Sequence, residues 1–505
     1  MEGNRVPENN LLLVVTAFIS GMSIMALEMS ASRLLAPYFG TSLFVWTNII
    51  GITMISLSIG YYYGGRIADG KTDSKPMFRV LLGTGSFAVL IPFFAPIVMS
   101  VSQGAVSSGS AGVFYGSMLG TILLFAPPIT ALGGVSPYVI RLSTSGDGSY
   151  GTVAGRVFAV STVGSILGTF LPVLLLIPIV GTKQTILIFG VALIVLGLIG
   201  LGKQGLSLVA LLLLFTTFLV GSARPGEGVI FEKESVHNYI QVVEHSGVRY
   251  LKLNEGYAYH SIYNPGSVTV NGVWDYFNIL PLLNRDAKDA LIIGLAGGTV
   301  AREYRFFYPD LAVDGVELDS EIIKAGNTFF DMAGANLKTY NMDGRSFLKT
   351  TDKRYDIVII DAYKQPYIPF HLTTQEFFTE VRSKLRDGGI VAINVATTGS
   401  DSKVQLMLEN TLASVYENVY TLDVPNTLNS IIIASDKELF FEFSPEKPVL
   451  ESIASRARGN IRKIEFDPAE MVLTDDRAPV EMYTDMMILD YIRSQDTRGF
   501  TEQFE

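Results

Sequence analysis

The second half of the chain contains residues whose types and spacing suit a nucleotide-like ligand. The glycine-rich segment Gly294–Thr299 directly follows an apolar run, and Glu317 lies about twenty residues further on. Asp343 with Gly344 comes next, followed by Asp361. A glycine-rich turn lets the backbone approach a ligand, and a carboxylate at a strand end can accept hydrogen bonds from both ribose hydroxyls. We therefore predict an adenosine-binding site, with Asp343 and Gly344 suited to the adenine edge.

The composition of the glycine turn narrows the ligand class. Gly294, Ala296, Gly297 and Gly298 are its candidate cofactor-binding residues. In a GxGxxG dinucleotide fingerprint that begins at Gly294, Ala296 and Thr299 would both have to be glycine or a close equivalent. The turn therefore favours an adenosyl cofactor over NAD.

Alternating strands and helices position these residues. Apolar runs that predict strands occur at 290–293, 312–316, 357–360 and 390–395. Helical patterns lie between them, which indicates a doubly wound, Rossmann-like parallel sheet. The candidate residues then lie at successive strand ends, where open α/β sheets bind ligands. Upstream, a small β-rich subdomain and a linking helix are predicted from the patterns at 239–243, 250–253 and 274–283.

The first half of the chain has the character of a membrane protein. Apolar runs long enough to cross a ~30 Å hydrocarbon core occur near 11–27, 43–63, 79–101, 113–140, 157–180, 184–201 and 205–222. We therefore predict a multi-span α-helical domain of about seven helices at 1–222. A β-rich subdomain with its linking helix follows at 223–285, and a Rossmann-like nucleotide-binding catalytic domain at 286–505.

Loop charges bear on the membrane topology. Basic residues fall mainly in alternate loops, which the positive-inside rule makes cytoplasmic: Arg66–Arg79, Arg141–Arg156 and Lys203. Seven spans would then place the following domain outside the cell, away from a cytoplasmic nucleotide cofactor. We expect a multi-pass cell-membrane protein with a cytoplasmic catalytic domain. One segment is then miscounted, either the stretch at Pro127–Pro128 or the last apolar run.

Composition argues against two other kinds of site. The formal net charge is -10, and no basic cluster favours a nucleic-acid partner. Cysteine is absent and only four histidines occur, at no metal-binding spacing. We therefore expect neither nucleic acid nor a bound metal.

Several motifs resemble one known family across nearly the whole chain. They are Ser32–Gly40, Gly60–Asp69, Ile293–Glu303, Gly315–Asp319, Asp356–Asp361, Ile368–Leu372 and Leu473–Asp476. With them the sequence resembles the membrane-fused branch of the polyamine aminopropyltransferase (spermidine synthase) family. The resemblance implies a spermidine synthase-type Rossmann-like domain behind a membrane domain. Soluble members are commonly dimers or tetramers, so a homo-oligomer is one expectation.

The resemblance assigns roles to individual residues. It implies that Glu317 binds the ribose of the cofactor and that Asp343 and Gly344 bind its adenine. Asn238 stands where the family often has a glutamine near the thioadenosine, and Pro369 belongs to a motif beside the cofactor. The cofactor implied is decarboxylated S-adenosylmethionine or S-adenosylmethionine itself, leaving methylthioadenosine or S-adenosylhomocysteine.

The resemblance makes Asp361 the catalytic residue, because it matches the acid that contacts the attacking amine. An alkyl amine with a pKa near ~10 is mostly protonated at neutral pH and is not nucleophilic. A carboxylate can orient it and take its proton during the attack. The sulfonium is already a good leaving group, so positioning supplies most of the remaining catalysis.

The sequence departs from the family pattern at the candidate substrate-binding residues. The family's glycine turn carries an Asp where this chain has Gly297, and its second acid is replaced by Lys364 and Gln365. Its tyrosine motif appears here only as Val273 followed by Trp274 and Asp275. Removing carboxylates and adding a lysine is unfavourable for a dication such as putrescine, by roughly 1–4 kcal/mol per close pair. A lysine and an open glycine would suit a carboxylate instead, such as that of intact S-adenosylmethionine.

Three functions stay open at this point. The first is aminopropyl transfer from decarboxylated S-adenosylmethionine to an amine of the putrescine or polyamine type. The second is methyl or aminocarboxypropyl transfer from intact S-adenosylmethionine to a lipid-like acceptor delivered through the bilayer. The third is a polyamine transporter or sensor whose soluble domain only binds its ligand.

Overall fold

A computed structural model gives the fold of the chain. It describes residues 10–39, 43–69, 73–104, 111–144, 150–203, 228–254, 258–364, 367–397, 402–442 and 447–493, with 206, 210, 214 and 445. The chain divides into two compact units, Met1–Arg224 and Pro225–Glu505.

The described part of the first unit is helical. Its helices are α1 (Asn10–Phe39), α2 (Leu43–Asp69), α3 (Lys75–Gly104), α4 (Ala111–Leu124), α5 (Ala126–Gly133), α6 (Val135–Ser143), α7 (Tyr150–Leu171) and α8 (Ile177–Gly200). A π-helical segment, Pro172–Leu176, joins the last two. Four helices are long and apolar enough to cross a membrane, or five if a bent pair counts as one span. That pair, Phe114–Leu124 and Ala126–Ser143, bends by 51° just before Pro127 and Pro128.

Small residues let the helices of this unit pack closely. A side chain at Gly164 would collide with the carbonyl oxygen of Phe18, and one at Gly168 with that of Met22. Such close backbone contact is typical of membrane helices, where burial of apolar surface drives little association. Because the contacts advance together along both helices, α1 and α7 run parallel.

Helices α3 and α8 run in opposite directions. Side chains at Gly190 and Gly197 would collide with Gly85 and Leu82 respectively, so the contacts advance in opposite senses. The ends of α1 and α3 lie together, because both contact α4 near Gly116. Helix α7 therefore runs parallel to α3, and α8 runs antiparallel to both.

The candidate span Tyr150–Gly200 is thus two segments that reverse at Gly181, where φ is +86°. The helical segments thus alternate in direction up to residue 200, and residue 200 lies at the same end of the helical bundle as Asn10. The seventh predicted span, 205–222, lies almost wholly outside the described residues.

A four-stranded antiparallel sheet opens the second unit. Its strands are β1 (Val229–Glu234), β2 (Tyr239–His245), β3 (Val248–Leu253) and β4 (Tyr259–Tyr263), in that order. The linking helix is α9 (Val273–Tyr276), a 3₁₀ turn (Phe277–Ile279) and α10 (Leu280–Leu283). Both features were predicted in the sequence.

The main sheet has eight strands. They are β5 (Asp289–Ile293), β6 (Ala312–Glu317), β7 (Leu337–Asn341), β8 (Tyr355–Ile360), β9 (Leu385–Ala396), β10 (Asn418–Asp423), β11 (Asn429–Ser435) and β12 (Ile461–Ile464). Their spatial order is β12-β10-β11-β9-β8-β5-β6-β7. Strands β5 to β9 are parallel, and β10 to β12 extend the sheet as antiparallel strands. The predicted Rossmann-like fold is confirmed, and the antiparallel extension was not foreseen.

Helices cover both faces of this sheet. They are α11 (Thr299–Phe307), α12 (Ser320–Phe329), α13 (Gly344–Thr350), α14 (Gln375–Lys384), α15 (Lys403–Ala413), α16 (Pro448–Arg458) and α17 (Val480–Arg493). Successive side chains of a strand point to opposite faces, so Ile292 and Ile359 belong to one buried core while Leu291 and Ile360 belong to the other. The double burial explains why these strands are continuous apolar runs.

Candidate active site

The turn after β5 brings two strand ends together. Gly294 has φ of +88°, and its N–H donates to the Val316 carbonyl over 2.9 Å. A Cβ atom at Gly294 would lie 2.4 Å from the carbonyl oxygen of Asp361. Only glycine combines this φ with the absence of a side chain, so Gly294 allows the end of β8 to pack against the turn.

The rest of the turn directs backbone groups towards β6. Ala296 has φ of +49°, and its N–H donates to Glu317 Oε2 over 2.9 Å. Gly298 has φ of +84° and caps α11, and a Cβ there would lie 2.3 Å from Met332 Cγ. The predicted glycine turn and the predicted ribose acid are therefore adjacent.

Glu317 is a buried carboxyl group with spare acceptor capacity. Burial raises its pKa to about 7, while the N–H groups of Asp319 and Ala296 lower it. Each of its oxygens accepts one of these bonds, and a carboxylate oxygen can accept two. The geometry leaves capacity for ligand hydroxyls.

Asn238 lies in the turn between β1 and β2 and contacts the same region. Its Nδ2 donates to Asp319 Oδ2 over 3.0 Å, and its Oδ1 accepts from Asn254 Nδ2 over 3.0 Å. Asp319 in turn caps α12 by accepting from the Glu321 N–H. Asn238 therefore lies at the carboxyl end of β6, through a contact with Asp319 that the sequence did not predict.

Asp343 is an N-cap with a second partner. It accepts from the Ser346 N–H over 2.9 Å, and its Oδ2 lies 3.1 Å from His371 Nε2. The bond to His371 holds the pKa of Asp343 well below its usual range. A Cβ at Gly344 would lie 2.3 Å from Ile293 Cγ2, so a larger residue would force α13 away from β5.

Pro369 orders the segment that carries His371. Its carbonyl accepts from the Leu372 N–H over 2.9 Å and closes a 3₁₀ turn, Phe370–Leu372. Beside the polar groups of this region, three large apolar side chains are exposed: Leu318 by 48%, Met342 by 39% and Phe370 by 47%. Exposed apolar surface rimmed by polar groups is typical of a ligand site, and it suits a flat base.

Asp361 lies at the end of β8 between two donors. Trp274 Nε1 donates to its Oδ2 over 3.0 Å, and Asn394 Nδ2 donates to its Oδ1 over 2.8 Å. Enclosure by the protein raises the pKa of Asp361 to about 6, against the lowering effect of these two bonds. The structure thus joins the predicted residues Trp274 and Asp361. Asn394 was missed, although it is the single polar residue in the apolar run 390–395.

A second set of bonds fixes Asn394 itself. Its Oδ1 accepts from Asn429 Nδ2 over 3.0 Å, and its backbone carbonyl accepts from the Tyr363 hydroxyl over 3.0 Å. That hydroxyl accepts from the Ala396 N–H over 2.8 Å. The orientation of Asp361 is therefore held through Asn394 by β11 on one side of β9 and by the loop after β8 on the other.

Asp275, a predicted substrate-binding residue, is held by the loop that precedes Trp274. It is buried, and its two oxygens accept from the N–H groups of Val270 and Asn271, each over 2.9 Å. Burial, together with the nearby Asp275, raises the pKa of the Glu303 carboxyl well above its usual range. The bonds to Asp275 fix the loop before Trp274, and a substrate contact by Asp275 stays a prediction.

The loop after Asp361 carries the predicted lysine. Lys364 is exposed, and its backbone pairs with Tyr367 through two hydrogen bonds of 2.8 and 3.1 Å. Gln365 lies outside the described residues.

The space beside Gly297 is filled by neighbouring residues. The Gly297 N–H donates to Ser261 Oγ over 2.8 Å. A Cβ at Gly297 would lie 2.9 Å from Ser261 Cβ and 3.1 Å from Phe330 Cγ. The expectation of free space for a carboxylate here is wrong, because β4 of the small sheet fills it.

Within the described residues, no group of three or more His, Cys, Asp or Glu side chains could hold a metal ion.

Comparison with known proteins finds relatives of the second unit. Residues 278–439 match the family model of the spermine/spermidine synthase domain. A probable polyamine aminopropyl transferase from Bifidobacterium longum is 32% identical over 290 residues, covering 52% of this chain and 64% of that protein. The chain therefore spans just under two thirds of that relative's length.

A second relative also covers part of the helical unit. Polyamine aminopropyltransferase 2 from Aquifex aeolicus is 24% identical over 462 residues, or 85% of this chain and 89% of that protein. Among solved structures, a probable spermidine synthase from Corynebacterium glutamicum superposes with a TM-score of 0.41 at 20% identity, covering 50% of this chain and 97% of that one. The C-terminal half of the chain therefore contains a spermine/spermidine synthase domain.

Proposed function

We propose that this protein transfers an aminopropyl group from decarboxylated S-adenosylmethionine to an amine acceptor of the putrescine type. The observation that carries the proposal is the setting of Asp361. This carboxyl is oriented by Trp274 and Asn394, has a pKa of about 6, and is adjacent to the glycine turn.

The residues around β5, β6 and β7 would bind the donor. Glu317 would accept hydrogen bonds from the ribose, and Asn238 would lie near the thioadenosine. Asp343 and Gly344 would contact the adenine edge, with Met342 against the face of the base. The sulfonium of the donor supplies the leaving group.

Asp361 would act on the acceptor. With a pKa of about 6 it is mostly ionised at neutral pH, so it can hold an ammonium and then accept its proton. The free amine nitrogen forms a bond to the carbon next to the sulfonium as the carbon–sulfur bond breaks. The bonding pair stays on sulfur, so methylthioadenosine leaves uncharged, and the new secondary ammonium carries the positive charge, because Asp361 has already taken the proton of the acceptor.

The test is product formation by the full-length chain in detergent. Incubation with decarboxylated S-adenosylmethionine and putrescine should yield spermidine and methylthioadenosine in equal amounts by mass spectrometry. Asp361→Asn should abolish both, whereas Asp476→Asn, at an exposed position, should not. Tight donor binding without turnover on any amine would contradict the proposal and favour a binding-only domain in a transporter or sensor.

A second candidate uses intact S-adenosylmethionine to modify a membrane-borne acceptor. The exposed cation of Lys364, three residues after Asp361, favours it because it could pair with a carboxylate. The closure of Gly297 by Ser261 weighs against it. Calorimetric titration with both donors decides: tighter binding of the decarboxylated form supports aminopropyl transfer, and tighter binding of the intact form supports the alternative.

We also propose that the first unit spans the cell membrane and that the catalytic unit is cytoplasmic. The proposal takes the helical segments up to residue 200 as six crossings and the last apolar run, 205–222, as a segment that does not cross. The basic stretches near 66–79 and 141–156 and Lys203 then lie at one end of the bundle, in agreement with the positive-inside rule. Because the chain has no cysteine, Asp73→Cys and Asp476→Cys provide unique labels. Both variants should react with an impermeant maleimide in inside-out vesicles and not in intact cells; labelling of the Asp476→Cys variant in intact cells would contradict the topology.

A further inference from the structure

The last helix covers the acceptor side of the site. The Tyr367 hydroxyl, in the loop after β8, donates to Asp485 Oδ1 of α17 over 2.7 Å. Ser402, in the segment after β9, contacts Met487 of the same helix, with 3.1 Å from hydroxyl to sulfur. Helix α17 therefore lies across the carboxyl ends of the two strands that hold Asp361 and Asn394.

Asp485 is the unusual residue of this helix. It is only 4% exposed, and its Oδ2 is buried and meets no donor within the described residues. Its burial raises its pKa to about 6, although the bond from Tyr367 lowers it. Most buried polar atoms are hydrogen-bonded, so an unsatisfied carboxyl oxygen needs an explanation. A bound cation would both satisfy the oxygen and stabilise the ionised carboxyl.

The chemistry of a diamine supplies such a cation. One nitrogen must lose its proton before it can attack, and Asp361 accepts that proton. The other nitrogen stays protonated, with a pKa near ~10, and it needs an acceptor. The loop between Asp361 and Tyr367 offers the cation Lys364, which cannot accept a hydrogen bond.

We propose that Asp485 binds the distal ammonium of a diamine acceptor and thereby selects diamines over monoamines. This inference rests on the proposed aminopropyl transfer. Asp485 Oδ2 accepts the ammonium, while Oδ1 stays bonded to Tyr367. Asp485 is thus a substrate-binding residue supplied by the C-terminal helix, far in the sequence from the other site residues.

Acceptor selectivity tests the proposal. The full-length protein is assayed with decarboxylated S-adenosylmethionine and either 1,4-diaminobutane or butylamine, which differ by one amine. Asp485→Asn keeps the shape of the side chain and an acceptor for Tyr367 but removes the charge. The ratio of kcat/KM for the diamine to that for the monoamine should fall about 10–100-fold, mostly through the KM of the diamine.

The controls separate binding from folding. Asp476→Asn alters an exposed acid shortly before α17 begins, and its ratio should equal that of the wild type. Tyr367→Phe removes the neighbouring hydroxyl but keeps the Asp485 charge, and it should retain most of the selectivity. An Asp485→Asn enzyme with unchanged selectivity, or with both rates lowered equally, would overturn the proposal. No turnover of either amine by the wild type would instead contradict the proposed function itself.

Discussion

The donor side and the acceptor side of the candidate site hold their acids by different means. On the donor side, Glu317 accepts from backbone N–H groups of the adjoining turns, and Asp343 caps the helix that follows it. On the acceptor side, Asp361 is held by the side chains of Trp274 and Asn394, 87 and 33 residues away in the chain.

This difference explains which features of the site could be predicted from the sequence. A backbone-held acid depends on a local pattern of strand, turn and helix start, which is visible in the sequence. A side-chain-held acid depends on packing between distant elements, which is not. Each side therefore makes a distinct prediction when its acids or their partners are replaced.

The largest effect is expected for Asp361→Asn. The amide cannot accept the amine proton, so kcat should fall by about 10²–10⁴. Donor affinity should change little, because the residues proposed to bind the donor follow other strands. Stopped assays give kcat, and calorimetry with decarboxylated S-adenosylmethionine gives the dissociation constant. A parallel loss of donor affinity would show that the two sides are not separable.

Glu317→Gln should produce the converse pattern. One oxygen of Glu317 becomes an NH₂ group that faces a backbone donor, so a buried hydrogen bond is lost and the fold is destabilised by about 1–3 kcal/mol. The donor dissociation constant should rise roughly 10–100-fold through the lost ribose contact. Thermal unfolding and calorimetry measure the two effects, with Asp476→Asn as the exposed control. Unchanged donor affinity would show that Glu317 does not contact the donor.

Trp274→Phe should change the pH dependence of catalysis more than its maximum. The indole N–H stabilises the ionised form of Asp361, so its loss should raise the pKa of Asp361 above about 6. The acidic limb of the kcat/KM profile then moves to higher pH. Activity near pH ~6 should fall several-fold more than activity near pH ~9, where Asp361 is ionised in both proteins. Equal losses at both pH values would argue against this coupling.

Much of the fold was predictable because its strands are buried on both faces. The run 290–293 was predicted as a strand and lies within β5, and the runs 312–316 and 357–360 lie within β6 and β8. The antiparallel strands β10 to β12 were missed. The sequence analysis followed strands that end at the glycine turn or at a candidate acid, and neither feature follows these three strands. The space at Gly297 was misjudged because the residue that fills it, Ser261, belongs to another sheet.

The partners of the C-terminal acids also could not be predicted from the sequence. Asp475 could have capped a helix or reached the site on sequence grounds. The structure pairs it with the Arg345 guanidinium through bonds of 2.7 and 2.8 Å, and Arg345 also bonds Glu380. Asp485 carried no sequence signal at all, and only its buried, unsatisfied oxygen draws attention to it.

The smallest effect is expected for Asp343→Asn, which tests the donor side at its edge. Asparagine caps a helix nearly as well as aspartate, so the variant removes mainly the charge facing His371. Both side chains are about one-third exposed, so the pair should contribute no more than about 1 kcal/mol to stability. Because the pKa of Asp343 is lowered in the fold, this contribution is present above the ordinary Asp pKa near ~4 and is lost as the pH falls below it. Unfolding temperatures of the two proteins should therefore differ slightly near pH ~6 and converge in acid. Donor affinity is the sharper measurement: a several-fold loss would support an adenine contact by Asp343, and an unchanged value would leave Asp343 as a helix cap alone.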